Sequence, residues 1–245
     1  MTKRIYFLVL VLTIINSALY AFSNPYFSAS ERGWSVERES DENLTFEINS
    51  YTPSEEEEEF LPKINILIKK ADANTYNLVK YDQKELDQLK EAVKNGAFKD
   101  YLEASRKGFM TTLEKKYPHI TRKQREEGFN EFFGNSEVSS SYYGKIGKNK
   151  AHIVEYNIGP TNVRRYFVFT LDFTIILEFM WNNKTDLVSL DAYKSFMNSF
   201  ASKGKEPTSF NASMNYGLGR QIVRLIVLLL VAGAVTVVKK LKGNY

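Results

Sequence analysis

The chain has 245 residues, a formal net charge of +4, 43% hydrophobic and 25% charged residues, and no cysteine. That length and balance suit one packed domain with accessory segments, and the lack of cysteine excludes disulfides, thiolate metal centres and cysteine nucleophiles. The positive balance does not point to nucleic acid: Lys3, Arg4, Arg220, Arg224, Lys239, Lys240 and Lys242 sit at the two ends, and residues 24–219 hold 26 basic against 29 acidic residues, so the basicity marks topology and not a phosphate-binding surface.

Lys3 and Arg4 precede an apolar run over residues 5–22, and Ala21-Phe-Ser23 forms a small-residue exit site. The pattern predicts an export signal over 1–23, cleaved between Ser23 and Asn24. Its 18 apolar-rich positions are also just long enough to span a bilayer, so a retained anchor is the alternative.

Two alternating runs, at Trp34–Glu37 and Leu44–Ile48, flank Asp41-Glu42-Asn43 and predict a hairpin. Five consecutive glutamates, Glu55–Glu59, read as a solvated loop, because adjacent carboxylates do not converge on calcium as spaced ligands do. A third strand follows at Ile64–Ile68. Asp82-Gln-Lys-Glu85 matches a capping box, and Leu86, Leu89 and Val93 continue it as a helix that Asn95-Gly96 should end. Phe98, Leu102, Phe109 and Leu113 predict a second amphipathic helix, terminated by Pro118.

From Gly128 the composition predicts strands, first over 129–140 and then over 151–158, joined by a basic turn at Gly144–Lys150. Arg165–Leu171 and Phe173–Trp181 are apolar on both faces and belong at a sheet centre, with a tight connection at Asp172. Leu190, Tyr193, Met197 and Phe200 repeat at helical spacing, with Ser189 as a candidate cap. This order of elements predicts an α+β fold, a mainly antiparallel sheet with packed helices, over residues 24–202.

Residues 203–219 are polar and read as a tether. Residues 220–240 then form a candidate transmembrane helix. Its uncharged stretch from Leu225 to Val238 covers about 21 Å, and a start at Ile222 extends it to about 25 Å, with Arg224 able to snorkel. Arg220 and Arg224 flank one side, while Lys239, Lys240 and Lys242 on the other place residues 241–245 in the cytoplasm. The expected arrangement is a single-pass protein of the cell membrane, with the domain outside and the C-terminus inside.

The hairpin, the helix before the sheet, the run RRYFVFTLDFTIILEFMW and the closing YKSFMNSF resemble the PsbP/Mog1 superfamily over Trp34–Ala201. That resemblance implies a sandwich-like α+β domain with a non-enzymatic docking or accessory role. No residue pattern indicates catalysis. His119 and His152 lack metal-ligand spacing, no G-x-S-x-G elbow occurs, and Gly144–Asn149 lacks the spacing and hydroxyl of a phosphate loop. No cofactor is expected. The expected partners are the bilayer, through the C-terminal helix, and an envelope protein. The alternative is a small-ligand carrier or sensor with a pocket between sheet and helix lined by Tyr142, Tyr166 or Trp181.

Overall fold

A computed structural model describes residues 21–48, 62–71, 82–183 and 185–207. In chain order these form β1 (Ala21–Ser23), β2 (Phe27–Ser30), β3 (Trp34–Ser40), β4 (Asn43–Ile48), β5 (Lys63–Lys70), α1 (Gln83–Val93), a kinked junction at Lys94–Phe98, and α2 (Lys99–Lys116). They continue as α3 (Arg122–Phe133), β6 (Glu137–Ile146), β7 (Asn149–Ile158), β8 (Thr161–Phe169), β9 (Phe173–Asn182), α4 (Asp191–Ser199) and β10 (Ala201–Ser202). Seven strands make one sheet in the order β3-β4-β5-β9-β8-β7-β6, and β1-β2-β10 make a small second one. Every pairing is antiparallel. The predicted α+β class with a mainly antiparallel sheet is the one observed.

The two faces of the large sheet follow from strand alternation. On the first face Phe46, Ile64, Ile66, Leu177 and Phe179 meet Phe196 and Phe200 of the closing segment, all at most 1% exposed. On the second face Val154, Tyr156, Val163 and Phe167 pack against Leu89 and Val93 of α1 and against Phe98 and Tyr101 beyond it. The central strand β9 has β8 as its neighbour, so the two most apolar runs lie side by side in the middle, where both faces are covered.

Several local expectations change. Residues 129–133 are helical and not extended, because α3 begins at Thr121, whose side chain accepts from the Gln124 backbone while Gln124 reaches back to the Thr121 backbone. Gly128 lies inside this helix and faces the Phe109 ring. The helix stop expected at Asn95-Gly96 is found there: Gly96 leaves helical geometry (φ −110°, ψ −105°), and a kink separates α1 from α2. Ser189 does not cap α4, which starts after Leu190 without a side-chain cap.

Ordered contacts are also made by residues on either side of 24–202. Phe22 in β1 packs on Phe27 and Phe46, and Asn24, 5% exposed, accepts from the Tyr26 and Phe27 backbones. Cleavage between Ser23 and Asn24 would therefore remove β1 from its pairing with β2. At the other end Leu171 donates to the Lys205 carbonyl at 3.0 Å and Pro207 is buried. The first residues of the expected tether thus belong to the globule. Among the described residues no helix is long and apolar enough to cross a membrane. Residues 1–20, the glutamates 55–59 and the run 220–240, with Arg220, Arg224, Lys239, Lys240 and Lys242, lie outside the described residues.

Candidate functional site

The helical layer covers only part of the second face. Helix α1 packs on β6 and β7, and a cleft of about 650 Å³ opens between the α1–α2 junction and strands β4, β5, β8 and β9. Asn43, Thr45, Asn65 and Lys69 lie on the sheet side, Gly96, Ala97, Asp100 and Tyr101 form the helical lip, and Arg165 and Glu178 contribute from the centre. The lip contains the kink at Gly96, where the backbone leaves helical geometry between α1 and α2.

Register builds the charged centre. Arg165 of β8 pairs directly across from Glu178 of β9 on the same face. Arg165 Nε donates to Glu178 Oε2 at 2.6 Å, and the Nη2 group closes on the same oxygen. Tyr156 donates to Oε2 at 2.8 Å and Tyr101 to Oε1 at 2.6 Å. Glu178, with a side chain 3% exposed, is thus held by one guanidinium and two phenols. Burial, and then the Glu178 charge, push both phenol pKa values well above the ordinary tyrosine value. Burial works against the Arg165 cation, but Glu178 outweighs it and the pKa moves upward. The two phenols therefore stay neutral and Arg165 stays cationic at neutral pH, and Nη1 of Arg165 is engaged by none of these bonds.

A second polar network lies on the opposite face, and it unites the three residues expected to line a pocket. Arg164 Nε donates to Glu155 Oε1 at 2.6 Å, Nη1 donates to the Tyr193 hydroxyl at 3.3 Å, and the guanidinium lies 5.8 Å from the centre of the Trp181 ring. Tyr142 donates to Glu155 Oε1 at 3.0 Å, and the Tyr166 and Tyr193 hydroxyls are 3.4 Å apart. Burial opposes the Glu155 carboxylate, yet Ser140, Arg164 and Tyr142 together lower its pKa. Burial raises the Tyr142 phenol to about 12. Tyr142, Tyr166 and Trp181 therefore converge on Arg164, which sequence spacing did not single out. They form a bonded network at the edge of the first core, with Tyr166 only 3% exposed.

The two histidines occupy different settings. His119 is exposed beside the Tyr117 ring, whereas His152 is fully buried between Tyr143 and Phe169. Among the described residues no group of three His, Asp or Glu side chains could hold a metal ion. Burial lowers the His152 pKa from 6.5 to about 4. The folded state then holds the neutral ring while the unfolded chain takes up a proton below 6.5. Stability is accordingly full above pH 6.5 and falls progressively towards pH 4, by about 2–3 kcal/mol in total. Thermal unfolding should show this as a drop of roughly 5–10 °C across that window, and His152→Phe should flatten the profile.

No family model matches the chain, and no curated protein matches its sequence. A crystal structure of a protein from Bacteroides thetaiotaomicron is similar at a TM-score of 0.37 and 9% identity, over 75% of this chain and 48% of that one. The chain spans about half the length of that protein.

Proposed function

We propose that the chain is a non-catalytic binding domain tethered to the outer face of a membrane, and that the cleft beside the α1–α2 junction is where it binds. The cleft carries this reading: its volume of about 650 Å³ lies within the range of small-molecule sites. It also combines apolar contacts from Leu89, Ile176 and Phe167 with a few polar groups that can orient a ligand. Its deepest ionisable groups neutralise one another through the Arg165–Glu178 bond and the two phenols, an arrangement suited to rigidity more than to proton transfer. The small-ligand carrier reading therefore has the stronger geometric support, at this cleft and not at the Arg164 network.

Docking of an envelope protein, the reading that joins the expected membrane topology to the docking or accessory role implied by the PsbP/Mog1 resemblance, finds its specific support at β3. Among the described residues this edge strand pairs with β4 alone and is exposed over Glu37–Ser40, and an open edge can accept a partner strand.

Thermal-shift measurements on the detergent-solubilised full chain test the cleft, with amino acids, simple sugars and short dicarboxylates as probes. A ligand held at a hundredfold its Kd adds about 2.7 kcal/mol, a rise in Tm of roughly 5–10 °C. The rise should vanish in Ala97→Trp, which fills the lip. A rise that persists unchanged in Ala97→Trp would place binding elsewhere, and no rise with any probe would remove the small-ligand reading.

A further inference from the structure

The end of the sheet beside residues 203–207 carries a lysine cluster. Phe200 to Glu206 runs along the β6–β7 turn: the Ser202 backbone donates to Asn149 Oδ1 at 2.9 Å, and the Lys150 backbone donates to Glu206 Oε1 at 3.2 Å. The approach is close enough to require Gly147, whose φ of +56° few other residues adopt and whose missing Cβ would lie 1.9 Å from the Phe200 carbonyl oxygen. Lys145, Lys148 and Lys150 on that turn are exposed, as are Lys203 and Lys205 on the departing segment. Lys70 joins them across the sheet, where β5 pairs with Phe173 at the start of β9.

Together with Arg38 these lysines outnumber the acidic groups at the same end, Glu39, Asp41, Glu42, Asp172 and Glu206, by seven to five. Asp172 and Glu206 lie among the lysines, while Asp41 and Glu42, further along the same end, face Arg38 and Tyr26 respectively. The asymmetry is local, because residues 24–219 as a whole carry more acidic than basic side chains.

We infer that this end of the domain is an interaction surface for the headgroups of an anionic bilayer, and that it seats the domain on the membrane to which the chain is tethered. The inference rests on the tethered reading above. The described chain ends at Pro207 on this surface, and the apolar run starts at Ile222. The intervening residues 208–221 can reach no farther than about 50 Å even at full extension, so the lysines are kept near the bilayer. Over the last Debye length, roughly 8–10 Å, each lysine adds attraction to an anionic surface. Seated this way, the chain's exit faces the lipid, and the cleft, which opens on the broad face of the sheet, remains accessible from the side.

The test uses the full chain reconstituted into phosphatidylcholine vesicles with or without phosphatidylglycerol. Flotation reports anchoring, and lysine acylation read by mass spectrometry reports the surface. Lys123, exposed on α3, serves as the reference. Flotation in both lipids, with acylation of Lys145, Lys148 and Lys150 relative to Lys123 reduced about threefold by phosphatidylglycerol and restored at high salt, is the expected result. Lys145→Glu combined with Lys148→Glu, both exposed changes, should restore acylation of Lys150. Flotation with equal acylation in the two lipids overturns the surface and leaves the tether standing. Failure to float with either lipid overturns the tether, and the surface with it.

Discussion

Replacing Glu178 with alanine is expected to destabilise the domain by about 3–5 kcal/mol, the cost of leaving a buried charge without its partner. The Arg165 side chain is 16% exposed and uses two of its nitrogens on the Glu178 carboxylate. Loss of that carboxylate also leaves the Tyr156 and Tyr101 hydroxyls without their acceptor. Glu178→Gln keeps the shape and one acceptor oxygen but removes the charge, so it should fall between the wild type and alanine. A second change separates the cost of the broken pair from the worth of the intact one. Glu178→Met combined with Arg165→Met replaces both charges by apolar groups of similar length and should recover much of the loss. Urea midpoints for the wild type and the three variants check the ordering. A Glu178→Ala midpoint equal to the wild type would show that the bond seen across β8 and β9 does not operate in solution.

Phe196→Ala should cost about as much, roughly 3–5 kcal/mol, for an apolar reason. The ring is fully buried and stands edge-on to Phe46 at 5.3 Å, to Phe179 at 5.8 Å and to Trp34 at 6.3 Å. It ties α4 to strands β3, β4 and β9 at once, and no single neighbour can move to fill the gap. Trp34 also donates its indole N–H to the Ala192 carbonyl at 3.0 Å, so it reports directly on the seating of α4. Urea unfolding followed by tryptophan fluorescence should show a lower midpoint with an unchanged slope. Phe196→Leu, which retains most of the apolar volume, should lose only about 1–2 kcal/mol.

Some of this architecture could be read from residue order because the signals were local. The alternation at Trp34 and Leu44, the reciprocal cap of Asp82 and Glu85, and the unbroken apolar runs of β8 and β9 each act within a few residues, and each appears where expected. Helix α3 was missed although Thr121 and Gln124 announce it as a capping box. The three phenylalanines Phe129, Phe132 and Phe133 favour strand by propensity, whereas the edge-on contacts of Phe129 and Phe133 with Phe109 on α2 reward a helix, a tertiary gain with no local sign. The cleft was hidden for a similar reason. Glu178 is the one charge in β9 and Arg165 sits where β8 turns apolar, but only the cross-strand register shows that they meet. Tyr142, Tyr166 and Trp181 lie around Arg164, which looked like an ordinary flanking charge, and none of the three lines the cleft.

The central claim is that the domain is held on the far side of a membrane by apolar segments at the chain's ends. Membranes carrying the full chain, washed with alkaline carbonate and then exposed to protease from the outer side, test it most directly. The account predicts that the protein stays with the lipid through the wash and that external protease releases a folded fragment ending near Pro207. Recovery of the intact chain in the carbonate supernatant, or complete protection of the domain from external protease, would contradict it.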